Sequence, residues 1–128
     1  MTVVLDSWAI MRLLEGAEPA AGRVQEKIDA RAAVMSWINL GEVFYVLRRS
    51  AGEASALGTV RDIEAVVKVL TPDRGTVLDA ARIKSDHRMS YADSFAAATA
   101  TRLDLPLWTG DPELLVQGAT WTAMNPSL

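Results

Sequence analysis

Asp6, Glu42, Asp93 and Asp111 each stand where an apolar segment hands over to a helix or where a helix opens. Their settings are Val3-Val4-Leu5-Asp6-Ser7, Asn39-Leu40-Gly41-Glu42, Ser90-Tyr91-Ala92-Asp93-Ser94 and Leu107-Trp108-Thr109-Gly110-Asp111-Pro112. Gathered at one edge of a sheet, four carboxylates repel and raise one another's pKa unless a cation intervenes. The chain has no cysteine, so thiolate metal sites, disulfides and thiol nucleophiles are excluded and any metal must take oxygen ligands. Mg2+ and Mn2+ suit such ligands and phosphate substrates. Two such ions roughly 4 Å apart activate a water, orient it in line with a phosphodiester and neutralise charge on the leaving oxygen. In that chemistry Asp6 is expected as the bridging or primary ligand, Asp93 and Asp111 complete the shell, and Glu42 holds a second ion or a metal-bound water.

Each acid taken singly has a plainer reading as a helix cap. Asp6 can cap a helix beginning at Ser7, Asn39 with Glu42 and Ser90 with Asp93 have capping-box spacing, and Asp111-Pro112 pairs an N-cap with proline at the first helical position. Helical rows weaken that reading for two of them. Asp93 shares a face with Ala96, Ala97 and Ala100, small residues that admit a close neighbour, and Glu42 lies on the row of Ile38 and Val46 at the border of an apolar stripe.

The elements that must position these acids follow from hydrophobic periodicity. Strands are expected at Val3 to Asp6, Ala33 to Ser36, Val66 to Leu70, Leu105 to Thr109 and Ala119 to Ala123. Helices are expected at Ser7 to Glu15 with Gly16 as terminator, from after Pro19 to about Ala30, Ile38 to Arg49, Glu53 to Glu64, Gly75 to His87 and Ala92 to Leu103, with a helical turn at Pro112 to Val116. Strands alternating with helices predict an α/β fold with a parallel sheet covered on both faces, whose binding crevice lies beyond the strands' carboxyl ends, where Asp6 and Asp111 fall.

Length and composition add bounds. The 128 residues, 50% hydrophobic and 23% charged, predict a single domain over 1–128. A net charge of −3, from 13 basic and 16 acidic side chains, argues against a polyanion-binding surface over the whole molecule. Setting the four site acids aside leaves 12, so the remaining surface is near neutral. No apolar run reaches the roughly 18 residues of a membrane span and the first lacks a basic leader, so a cytoplasmic protein without membrane partners is expected.

In order and spacing, the four segments resemble the motifs of PIN-domain ribonucleases, and the short chain resembles the VapC toxins of bacterial toxin-antitoxin pairs. The likeness runs through Ser90-Tyr91-Ala92-Asp93-Ser94-Phe95-Ala96-Ala97-Ala98-Thr99-Ala100 and through Leu107 to Glu113, and covers essentially the whole chain. It implies a PIN-like three-layer α/β/α fold with about five parallel strands and a Mg2+ or Mn2+ site built from Asp6, Glu42, Asp93 and Asp111. It further implies endoribonuclease activity, and a homodimer inhibited by a VapB-like antitoxin whose tail enters the active-site groove. The alternative is a PIN nuclease of RNA processing without an antitoxin. Ser7 stands where the family often has threonine but keeps the hydroxyl, and Thr109 matches the hydroxyl position of the last motif.

Other α/β folds of this size fit less well. A phospho-accepting receiver domain needs an acidic pair at its first strand and a lysine after its last; lysines occur only at 27, 68 and 84. A haloacid-dehalogenase phosphatase needs a second aspartate two residues after Asp6, where Trp8 stands, and no glycine-rich phosphate loop is present. Around the acids, Arg12, Arg48, Arg49, Arg82, Lys84 and Arg88 are candidate RNA phosphate contacts, each also readable as a solvated helix face. His87 and the four tryptophans are read as structural rather than catalytic.

Overall fold

Successive residues of a strand face opposite sides of a sheet, and the short apolar runs here use both sides. The computed structural model describes residues 1–128. Its strands are β1 (Val3–Leu5), β2 (Ala33–Ser36), β3 (Lys68–Leu70), β4 (Leu107–Trp108) and β5 (Ala123–Met124). Its helices are α1 (Ser7–Glu15), α2 (Ala20–Asp29), α3 (Trp37–Ala51), α4 (Glu53–Val66), α5 (Arg74–Asp86) and α6 (Tyr91–Leu103). Val3, Leu5, Ala33, Met35 and Trp108 pack with α1 to α4, through residues such as Ile10, Val24, Leu40, Val43 and Ile63. Val4, Val34 and Leu107 pack on the other side with Ala96, Ala97 and Ala100 of α6. Helices α5 and α6 form that outer layer together, joined through Ala80, Phe95 and Ala98.

All five strands are parallel, in the order β3-β2-β1-β4-β5. The chain builds outward from β1 to β3, then returns to the opposite side of β1 for β4. The order therefore reverses between β1 and β4, and at such a switch point the flanking loops part to leave a crevice. Asp6 directly follows β1, and Thr109 directly follows β4.

Local chemistry explains the element ends. Gly16 closes α1 with a left-handed backbone (φ 66°) and returns its N–H to Leu13 O, as the expected terminator should. Ser36, Asp73 and Ser90 accept N-terminal backbone donors of α3, α5 and α6. Two expectations shift. The last strand lies at Ala123–Met124 rather than Ala119 to Ala123, because its position is set by pairing with Leu107 and Trp108. Pro112 opens a turn, not a helical segment.

Candidate metal centre

Asp6 leaves β1 and caps α1, its Oδ1 accepting from Ala9 N at 2.9 Å. The capping reading therefore holds for one oxygen. The other, Oδ2, is buried and accepts no hydrogen bond of normal geometry, although the whole residue is 0% exposed. Burial is the main cause that pushes the Asp6 pKa up to about 6; the nearby Thr109 hydroxyl and the Ala9 N–H oppose it, while Asp111 and Glu42 add to it. An orphaned carboxylate oxygen without solvent is costly, and a cation is the ligand that relieves it.

Asp93 sits in the first turn of α6, where its backbone N–H donates to Ser90 Oγ at 3.1 Å. Every residue from Asp93 to Ala100 is buried, as the small-residue face predicts. Burial and then the adjacent Asp111 carboxyl, with Glu42 and Asp6 behind it, raise Asp93 to about 7. Asp111 belongs to the loop after β4. Its N–H donates to Thr109 Oγ1 and its Oδ1 accepts from Glu113 N, both at 3.0 Å. This tight turn brings one oxygen each of Asp93, Asp111 and Glu113 within 4.8 Å of one another.

Glu42 enters from α3, where the Ser7 hydroxyl donates to its Oε1. The capping-box reading of Asn39 and Glu42 does not hold, since Ser36 caps α3. Asn39 is instead fully buried and its Nδ2 donates to Ala92 O at 3.0 Å, tying α3 to the turn that carries Asp93. Ser7, Glu42, Asp93, Asp111 and Glu113 line one groove of about 420 Å3, while Asp6, fully buried, is not among its lining residues.

Of the four acids singled out from the sequence, Asp93 and Asp111 meet within 4.8 Å, with Glu113 as the third member; Glu42 lines the same groove, and Asp6 is close enough for Asp111 and Glu42 to raise its pKa. Glu113 was missed because a helix beginning at Pro112 would put residues i and i+2 on different faces, whereas the turn places both carboxylates at one rim. Of the six candidate phosphate contacts, only Arg12 lines the groove. Arg48 pairs with Glu53, Arg82 with Asp79, and Arg49 lies over the Tyr45 ring. His87 packs edge-on against Trp121, away from the acids, and Trp108 and Trp121 are buried. The donors present, carboxylate oxygens with one left orphaned in the interior, fit a hard divalent cation.

The family model described as PIN domain matches residues 3–117. The chain belongs to the PIN domain family. Its architecture agrees: five parallel strands, helices on both faces, and acids at the switch point. Among solved structures this PIN domain is similar to DNA-bound VapBC from Salmonella typhimurium, with 17% identity, 98% of each chain covered and a TM-score of 0.80. It is also similar to VapBC-1 from nontypeable Haemophilus influenzae, with 18% identity, 100% of each chain covered and a TM-score of 0.75. A Mycobacterium tuberculosis VapC toxin described as cleaving the sarcin-ricin loop shares 16% identity over 91% of this chain and 95% of its own, with a TM-score of 0.73. At these identities the likeness is one of fold. No curated protein matches the sequence.

Proposed function

We propose that this PIN domain is a Mg2+- or Mn2+-dependent endoribonuclease, the toxin of a pair whose other member is a VapB-like antitoxin, acting in the cytoplasm as a homodimer. The observation that carries the reading is Asp6 Oδ2, a buried carboxylate oxygen without a partner among acids raised to about 6 and 7. The likeness to VapBC complexes and to a toxin described as cleaving the sarcin-ricin loop supports the substrate class and the partner.

Asp6, Asp93 and Asp111 would hold the cation, with Glu42 and Glu113 at its flanks. A divalent ion supplies Lewis acidity toward the scissile phosphate and compensates charge on the departing oxygen. The remaining work falls to the chain. Ser7 holds Glu42 by Oε1, leaving Oε2 as the acceptor for the proton of the attacking water. The Thr109 hydroxyl fixes the Asp111 loop by accepting from the Asp111 N–H, and Asn39 sets the spacing of α3 from α6. These ties hold the carboxylates in place before substrate arrives, so little reorganisation accompanies reaction.

Purified protein incubated with total RNA tests the reading. Asp6→Asn and Asp93→Asn should each lower cleavage by about 10²-fold or more with far-UV circular dichroism unchanged, and EDTA should stop wild-type cleavage until Mn2+ is restored. Wild-type rates in both variants, or full activity in EDTA, would overturn it.

A further inference from the structure

The groove that holds the acids has twelve lining residues, and Arg12 is the single basic one among them. Its guanidinium carbon stands 5.3 Å from the centroid of the Trp8 ring, a cation stacked on an aromatic face. Trp8 is itself wedged. A Cβ built on Gly110 would fall 2.1 Å from the Trp8 ring, so the loop that carries Asp111 is pressed against the platform under Arg12. The cation is thus positioned by the same loop that supplies an acid.

Arg12 also has unused capacity. A guanidinium offers five N–H donors, and only Nη2 is engaged, on Glu15 Oε1 at 3.0 Å. That partner is 45% exposed and lies three residues along the same helix, an ion pair of small worth in water. Nε is buried without an acceptor. A planar fork that is held in place, under-paired and set beside a proposed phosphodiester site matches the oxygens of a phosphate.

We infer that Arg12 is a phosphate clamp: its Trp8-stacked guanidinium receives a backbone phosphate of the RNA strand neighbouring the one held at the acids. This deepens the nuclease reading and rests on it. The four groove carboxylates repel a polyanion wherever no metal sits, and Arg12 supplies the one compensating charge on that wall. Because the contact is to the backbone, it contributes to affinity for all RNA sequences alike.

Binding of a fluorescein-labelled, mixed-sequence single-stranded RNA, followed by anisotropy in Ca2+ across a salt series, tests the inference. Arg12→Gln keeps the aliphatic stem and removes the guanidinium and its charge; it should weaken binding by about tenfold and reduce the slope of log K against log salt by roughly 0.7, the loss of one phosphate contact. Arg12→Lys should retain the slope and bind between the two. A purely structural role would change Tm without moving the slope. Equal affinity and slope for wild type and Arg12→Gln would overturn the clamp while leaving cleavage by the wild type intact. RNA that is bound by Arg12 but never cut would instead remove the nuclease reading alone, and no RNA binding by the wild type would remove both.

Discussion

Asp6 divides its two oxygens between tasks, one capping α1 and one left for a cation. The division has a measurable consequence in pH. Asp6 and Asp93 move from an ordinary 3.8 to about 6 and about 7, so the metal-free folded state keeps protons that the unfolded chain has released. Their contribution to stability is fully present below about pH 4 and is lost as pH rises through 6 and 7. Asp73 and Asp79, exposed and held below the ordinary value, by Thr76 donors and by Arg102 respectively, act oppositely and only at lower pH. The Tm of the metal-free protein should therefore fall between about pH 4 and 7, and the fall should flatten in Asp6→Asn. Mn2+ must displace the same protons, so its apparent affinity should rise over that window with proton release visible by calorimetry. A Tm indifferent to pH together with proton-free Mn2+ binding would contradict the assignment. At this scale the places of the four acids at element ends were legible in the sequence, and the structure draws two of them, Asp93 and Asp111, into one close cluster. Glu113 and Asn39 were not legible, because their roles depend on a turn and on a helix crossing.

Between elements, the site depends on two close approaches. Asn39 joins α3 to α6, and Gly110 lets the loop after β4 lie against Trp8 of α1. Gly110→Ala places a methyl inside the Trp8 ring's space, so the ring or the loop must move. We expect a loss of about 1–3 kcal/mol, read as a lower midpoint in urea, together with weaker Mn2+ binding because Asp111 moves with the loop. Unchanged stability would show that Trp8 swings away freely. Most helices were readable within a residue or two, since amphipathic periodicity and caps such as Ser90 and Gly16 are local. Strand β5, two residues long, was misplaced: so short a segment has no period, and its register comes from β4.

For the molecule as a whole, the strand order β3-β2-β1-β4-β5 places acids distant in sequence at one crevice and leaves their repulsion unrelieved until a cation binds. Folding and metal binding are then linked by mass action. At a Mn2+ concentration of about 100 times Kd, stability should increase by about 2.7 kcal/mol, a Tm rise of several degrees that Asp6→Asn should largely abolish. A Tm unmoved by Mn2+ would argue that the carboxylates hold no ion. None of the helices is long and apolar enough to cross a membrane.

The alternation of strands and helices, and with it the parallel sheet and the four acids at element ends, was determined by the sequence alone, because periodicity and capping act within a few residues. Tertiary structure decided the rest. Strand order at the β1–β4 switch selected which loops meet, the turn at Asp111 recruited Glu113, and the packing of Gly110 on Trp8 brought Arg12, alone among six candidate cations, to the groove. Such choices rest on distances between segments far apart along the chain, which are set by how sheet and helices pack and not by any local pattern of residues.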